Sequence, residues 1–127
     1  MKKGVHHISL KTGGEEMFRK TVAFYRDVLD CPMIRTWGEG EDCTVMLDLG
    51  NTILEITANG DADQGRGRFV HIALATDDVD ALTEKVRAAG CPVFVEPKDV
   101  DPNGAYPIRI AFCNGPAGEE IEFFHEK

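Results

Sequence analysis

Two histidines and two glutamates occupy matching positions in the two halves of the 127-residue chain. His7, in the segment Val-His-His-Ile-Ser-Leu, corresponds to His71, in Phe-Val-His-Ile-Ala-Leu, and Glu55 corresponds to Glu122. If these segments are strands, their period of two places each imidazole or carboxylate opposite an apolar face. A carboxylate between apolar neighbours is costly to bury without a partner. The four residues would remove that cost by binding one cation together.

The mixture of donor atoms indicates which cation such a site would take. Imidazole and carboxylate ligands suit nickel, cobalt, iron, manganese or zinc. Four protein ligands leave two positions of an octahedron open to water or substrate, which is typical of a catalytic site rather than a closed structural one. A single strand histidine or glutamate is more often structural, so the prediction depends on the set of four. His6 and His125 fall on the opposite strand faces and are assigned no chemistry.

The repeat that relates these residues extends along the whole chain. The order histidine, Cys-Pro, glutamate is kept in both halves. Hydrophobic periodicity predicts one strand, one helix and three more strands in each half. The strands are expected at about 4–11, 33–37, 43–49 and 52–58, and again at about 69–76, 92–96, 106–113 and 119–125. The sequence thus predicts an α+β fold with two βαβββ modules, 1–60 and 67–127, joined by a glycine-rich polar linker at 59–68.

Each predicted module contains one amphipathic helix. The apolar positions recur at helical spacing, as Phe18, Val22, Tyr25 and Leu29 in the first module and Val79, Leu82, Val86 and Ala89 in the second. Thr12 and Glu15 are spaced for a capping box at the start of the first helix. Asp77 or Asp78 would cap the second helix, and Gly90 would end it. We expect the helices on the outer faces of mixed sheets that curve around one cavity.

Composition excludes several classes of function. Lysine and arginine number 14 against 22 aspartates and glutamates, a net charge of −8 that repels nucleic acid and anionic membranes. No apolar run approaches the roughly 20 residues of a membrane span, and the first residues do not resemble a secretory signal. The four cysteines lack the close spacing of a zinc or redox motif. We therefore expect reduced thiols and a cytoplasmic protein.

Five short motifs carry a resemblance to a known family. They are His7-Ile8-Ser9-Leu10, Phe24-Tyr25-Arg26-Asp27-Val28-Leu29, Ile53-Leu54-Glu55, His71-Ile72-Ala73-Leu74 and Ile121-Glu122-Phe123. With them the chain resembles the vicinal oxygen chelate superfamily, which includes glyoxalase I and the bleomycin-resistance proteins. Two histidines with two glutamates is similar to the ligand set of glyoxalase I. The resemblance implies one divalent metal per site, with nickel or cobalt favoured over zinc.

The same resemblance implies roles for individual residues. Glu122 would act as the base on a 2-oxoaldehyde–thiol hemithioacetal, with Glu55 as the symmetric alternative, and the metal would stabilise the enediolate. In the glyoxalase I pattern, the positions occupied here by Lys11 and Asn59 contact glutathione. Resembling members pair the first module with the second module of a partner chain, which implies a homodimer with its sites at the interface.

Two other functions stay open at this point. One is an epimerase or thiol transferase that acts on another bidentate oxygen substrate. The other is a metal-free protein that sequesters an aromatic antibiotic, for which Trp37 and Tyr106 would line a groove. The four candidate ligands argue against the binding protein, and a metal assay separates it from both enzymes. In every case the expected partner is a small molecule.

Overall fold

The structure, a computed structural model, describes residues 1–63, 65 and 67–127. The chain forms two compact units, Met1–Gly65 and Arg66–Lys127, called the first and second modules below. Each contains one mixed four-stranded sheet and one α-helix, which confirms the predicted α+β fold of two βαβββ modules. The predicted linker includes Gln64 and Arg66, which lie outside the described residues, so its bounds at 59–68 stay a prediction.

The first module begins with strand β1 and closes its sheet by pairing that strand with the last one. Its elements are β1 (His7–Lys11), α1 (Glu15–Ala23), β2 (Met33–Trp37), β3 (Thr44–Asp48) and β4 (Ile53–Thr57). The strand order is β1-β4-β3-β2, with β1 parallel to β4 and the other pairs antiparallel. A π-helical stretch, Phe24–Val28, continues α1 towards β2.

The second module repeats this topology. Its elements are β5 (Ile72–Ala75), α2 (Val79–Ala88), β6 (Val93–Val100), β7 (Ile108–Asn114) and β8 (Glu120–Glu126). The strand order is β5-β8-β7-β6, again with the first strand parallel to the last. The sequence repeat is therefore also a repeat of sheet topology. Neither helix in the described part of the chain is long and apolar enough to cross a membrane.

The first strand of the second module is shorter than predicted. A strand was expected at about 69–76, but β5 starts at Ile72, so His71 lies just before the strand rather than in its middle. Ile72 pairs with Ile121, and β8 itself begins only one residue earlier, at Glu120. Residues 67–70 therefore have no partner on β8. In the first module, His7 is likewise the opening residue of β1.

The helix starts differ from one another in how they are capped. The capping box expected from Thr12 and Glu15 is wrong, because Gly14 occupies the N-cap position with φ 101° and the helix start has no side-chain cap. The Thr12 hydroxyl instead donates to the Thr57 carbonyl at 2.8 Å, tying the β1 end to β4. The cap expected for α2 is confirmed, since Asp78 accepts from the Ala81 amide at 2.9 Å.

The central strands of each sheet carry the core beneath the helix. In β4, Leu54 and Ile56 are buried, and in β8, Ile121 and Phe123 are buried, as alternation predicts. The edge strand β1 is less well covered, because it pairs only with β4, and Ile8 on its apolar face is 39% exposed. The opposite faces of β4 and β8 hold the two candidate glutamates.

Candidate metal centre

In the second module, His71 and Glu122 form a close pair. Nε2 of His71 lies 3.1 Å from Oε1 of Glu122. The β5–β8 ladder pairs Ala73 with Glu122, and His71, just before β5, places its imidazole on the same face of the sheet, as its distance to Glu122 shows. The Glu122 side chain is only 10% exposed. The sheet register therefore delivers an imidazole to a largely buried carboxylate.

An aromatic ring contacts this pair, and a second ring packs against the first. Phe112 of β7 is the ladder partner of Glu122. The His71 ring meets Phe112 edge to face, with centroids 5.3 Å apart, and Phe94 stands 5.6 Å from Phe112. Burial in this setting raises the pKa of the Glu122 carboxyl above its ordinary value, although the neighbouring His71 acts to lower it. The surroundings thus strengthen Glu122 as a base.

In the first module, the matching pair is wider and more exposed. Nε2 of His7 lies 4.0 Å from Oε1 of Glu55, whose side chain is 19% exposed. The β1–β4 ladder pairs Ser9 with Glu55, which repeats the arrangement of Ala73 and Glu122. No aromatic ring replaces Phe112 here, because the ladder partner of Glu55 on β3 is Met46.

His6, to which the sequence assigned no chemistry, contacts His7. Their Nδ1 atoms lie 2.9 Å apart and their rings meet edge to face with centroids 5.2 Å apart. This contact engages Nδ1 of His7 and leaves Nε2 facing Glu55. Strand alternation does not predict this contact, because His6 precedes the first residue of β1, where strand periodicity does not apply. The histidine doublet was the available signal, and the second module lacks it, since Val70 precedes His71.

Lys11 and Asn59, the two candidate substrate-binding residues, lie together at the far end of β1. Nζ of Lys11 donates to Oδ1 of Asn59 at 3.1 Å, and the Thr57 hydroxyl donates to the same oxygen at 2.9 Å. The close approach depends on Gly60, because a Cβ there would lie 2.7 Å from Cβ of Lys11. An ammonium has three N–H donors, so Lys11 keeps two for a ligand.

A shallow depression of about 460 Å³ opens at the other end of the same sheet. Its lining includes Val5, His6, Ile34, Asp48 and Ile53. Because Ile53 is the ladder partner of His7, the depression adjoins the histidine end of the face. Its volume lies in the range of small-molecule pockets.

The donor atoms fit a divalent ion. Two ligands about 2.1 Å from a metal on adjacent octahedral positions stand about 3 Å apart, and the 3.1 Å separation in the second module matches that spacing. The 4.0 Å separation in the first module would have to shorten by roughly 1 Å, within reach of side-chain rotation. Within the described residues of either module, no three of histidine, cysteine, aspartate and glutamate cluster for a metal. Each module therefore offers two ligands.

Three of the four cysteines are buried and add no reactive thiol to this site. Burial raises the pKa of the Cys31 and Cys91 thiols and raises that of Cys113 to about 12. A thiol must lose its proton to become a nucleophile or a metal ligand. These three are therefore apolar packing groups at neutral pH.

Comparisons with known proteins identify the family of this chain. The family model described as "Glyoxalase/Bleomycin resistance protein/Dioxygenase superfamily" matches residues 4–123. Lactoylglutathione lyase of Haemophilus influenzae is 31% identical over 129 residues, which cover 95% of this chain and 91% of that protein. The matched family segment includes all four candidate metal ligands and both candidate substrate-binding residues.

Two solved structures share the fold. A genomically encoded fosfomycin resistance protein from Listeria monocytogenes has a TM-score of 0.77 at 20% identity, over all of this chain and 96% of that one. The trypanothione-dependent glyoxalase I of Leishmania major has a TM-score of 0.73 at 23% identity, over 98% of this chain and 88% of that one. At these identities the likeness is one of fold.

Proposed function

The chain belongs to the Glyoxalase/Bleomycin resistance protein/Dioxygenase superfamily, and from this premise we propose that it is a metal-dependent lyase of the glyoxalase I type. It would isomerise the hemithioacetal formed by a 2-oxoaldehyde and a thiol. The observation that carries the proposal is the His71–Glu122 pair, in which an imidazole meets a buried carboxylate of raised pKa. The name of the Haemophilus relative, lactoylglutathione lyase, supports the same reaction.

The candidate metal ligands are the two histidine–glutamate pairs, and they would share one divalent ion. Nickel or cobalt is the favoured ion and zinc the alternative, as the imidazole and carboxylate donors allow. When bound, such an ion supplies Lewis-acid stabilisation of the negative charge that develops on the substrate oxygens. Resembling members pair the first module of one chain with the second module of another, which supports a homodimer whose sites lie at the interface between chains.

Glu122 is the proposed base. It would take the proton from the carbon that bears the hydroxyl and sulfur, and return it to the adjacent carbonyl carbon. Burial raises the pKa of this carboxyl in the metal-free protein, and a bound divalent ion would act to lower it. The Glu122 side chain is only 10% exposed and its ladder partner is Phe112, which limits the access of water to the carboxylate. Glu55 is the alternative base and is more exposed.

Lys11 would bind an anionic group of the thiol. Asn59 holds its ammonium at 3.1 Å and so orients the remaining N–H donors. A lysine acts as a point charge and lacks the two-pronged donor geometry of an arginine. Lys11 therefore attracts a carboxylate with less geometric selectivity than an arginine would.

The test is turnover by protein of defined metal content. Protein stripped with a chelator is reloaded with nickel, cobalt or zinc and given methylglyoxal mixed with glutathione or another thiol, and thioester formation is followed by absorbance. We expect turnover only with metal, and we expect the Glu122→Gln variant to bind nickel in calorimetry without turnover. If metal-loaded wild type forms no thioester with any thiol, the lyase assignment is wrong. An epimerase or thiol transferase would then take its place, and failure to bind metal at all would favour the binding protein.

A further inference from the structure

An arginine on the edge strand β2 shares the face that carries the first histidine–glutamate pair. Arg35 pairs with Met46, and Met46 pairs with Glu55, so the three side chains form one row across β2, β3 and β4. Neighbouring strands are about 4.8 Å apart, which places the Arg35 backbone about 10 Å from that of Glu55. Arg35 is exposed along with the rest of β2.

The side chain of Arg35 has no hydrogen bond or ion pair with any residue that the structure describes. Three other described arginines contact carboxylates, whereas Arg19 and Arg68, which lie outside the strands, do not. Arg26 pairs with Asp27, Arg87 with Glu96, and Arg109 with both Asp80 and Asp99. A free guanidinium on the site face is thus available to a ligand.

The second module shows that the fold does not require an arginine at this place. The equivalent residue is Val95, which pairs with Phe112, the ladder partner of Glu122. Both β2 and β6 shift register just before this position, between Met33 and Arg35 and between Val93 and Val95, although β6 shifts again after Val95. The strand geometry that leads to this position is therefore repeated, whereas the side-chain chemistry differs.

Trp37 follows Arg35 on the same face. It pairs with Thr44, two residues from Met46 on β3, and is 47% exposed. Together the two side chains offer a flat apolar surface and a charge about 7 Å further along the strand, since alternate residues are spaced by two strand steps. This combination suits a ligand arm that ends in an anion.

We propose that Arg35 is a specificity-determining residue that binds an anionic group, a carboxylate or a phosphate, on the substrate arm that extends from Glu55 across β3 and β2. The inference rests on the proposed function. A guanidinium binds such a group through two parallel charged hydrogen bonds. Lys11 stands on β1, at the opposite edge of the sheet, so the two cations would bind different groups.

The experiment varies the charge of each substrate arm separately. Nickel-loaded wild type, Arg35→Val, Arg35→Lys and the control Arg19→Ala are compared on three adducts. Arg19 is exposed on α1 and its side chain has no partner among the described residues. Arg19→Ala therefore removes the same charge as Arg35→Val at a place away from the sheet. The adducts are methylglyoxal with mercaptoethanol, methylglyoxal with glutathione, and carboxyphenylglyoxal with mercaptoethanol. The second carries its carboxylates on the thiol arm and the third carries one on the aldehyde arm.

Arg35→Val is expected to raise KM by about tenfold or more for the one adduct whose charged arm reaches β2, because losing a hydrogen bond to a charged group costs about this factor. The value of kcat should change little. Arg35→Lys should recover part of that loss, and the uncharged adduct and Arg19→Ala should be unaffected. An equal change for charged and uncharged adducts, or no change for either charged one, would overturn the proposal.

A binding measurement keeps this test independent of turnover. If wild type turns over no adduct, the lyase assignment fails, and calorimetry with two non-reacting ligands, a glutathione thioether and 4-carboxymandelate, still tests Arg35. Weaker binding of either ligand to Arg35→Val than to Arg19→Ala then supports an anion-binding arginine, and equal binding of both ligands overturns it. Circular dichroism and thermal unfolding of every variant exclude misfolding, and Arg35→Lys serves if the valine variant does not fold.

Discussion

The two modules place the same pair of side chains in opposite surroundings. In the first, His7 and Glu55 are 4.0 Å apart on a face with Lys11 and Arg35. In the second, His71 and Glu122 are 3.1 Å apart against the ring of Phe112. The same topology thus carries two cations on the site face of the first module and a largely buried carboxylate beside an aromatic ring on that of the second.

The difference arises at a few ladder positions. Met46 and then Arg35 follow Glu55 in a row across the first sheet, and Phe112 and then Val95 follow Glu122 in the matching row of the second. Apolar neighbours desolvate a carboxylate and raise its pKa, whereas exposed cations attract anions without burying the carboxylate. We infer that the second module supplies proton transfer and the first supplies substrate charge recognition. The four predictions that follow test this division of roles.

The largest effect should separate the two glutamates. Glu122→Gln is expected to lower kcat by about 10²- to 10⁴-fold, the usual contribution of a general base, because an amide can still ligate a metal but cannot accept the proton. Glu55→Gln should cost much less, since it removes no proton acceptor from the reaction. Steady-state kinetics on the nickel-loaded proteins measures both. A larger loss from Glu55→Gln would move the base to the first module.

The next effect should separate the two histidines. His71→Ala is expected to weaken nickel binding by at least about 100-fold, and with it activity, because a direct ligand contributes more than the outer residues that orient one. His7→Ala should weaken binding less, since its pair is wider and must close on the metal. Calorimetric titration with nickel gives both constants. Equal losses would mean that the difference in spacing does not persist when metal binds.

A smaller effect is expected at the charged end of the first module. Lys11→Ala should raise KM for a glutathione adduct several-fold with kcat unchanged, because it removes binding shared by the ground and transition states. The ammonium is exposed, which limits the effect. Lys20→Ala, which removes a surface charge paired with Glu16, is the control. A drop in kcat alone would place Lys11 in the chemical step instead.

The smallest effect concerns stability and pH. Since burial raises the pKa of Glu122, the metal-free folded chain binds a proton more tightly than the unfolded chain does. This stabilising contribution is complete below the ordinary glutamate pKa and is lost as pH rises through the raised value. Relative to wild type, metal-free Glu122→Gln should therefore gain melting temperature as pH increases from about 4 to 7. A difference in melting temperature that stays constant with pH would contradict the burial argument.

The sequence was sufficient to predict the architecture, because the repeat and the hydrophobic periods are properties of the whole chain. The strand predicted at 33–37 coincides with β2. The limits of β5 could not be predicted, since a strand ends where its neighbour ends, and β8 lies nearly 50 residues away. The cap of α1 was predicted incorrectly because the Thr12 hydroxyl could either cap the helix or bind a carbonyl elsewhere in the fold. In the structure it donates to the Thr57 carbonyl.

At the candidate site, the sequence identified the two histidines and two glutamates but not what surrounds them. The sequence repeat was the signal that paired each histidine with its glutamate. The contact of His6 with His7 depends on backbone just outside β1, where no period operates. Arg35 was missed because the sequence places it in a strand without showing its row, which depends on a register shift between Met33 and Arg35.

The parallel pairing of the first strand with the last has a consequence for how the chain matures. In each module, the ladder that brings histidine to glutamate joins the residues most distant in sequence, as in the pairing of β1 with β4. Such contacts close the longest loop of the module and bear its full entropic cost. A chain still leaving the ribosome therefore carries isolated imidazoles and carboxylates, which hold a metal weakly. Each histidine–glutamate pair forms only when its module has closed from end to end, so under the proposed function a metal would bind only to a folded module.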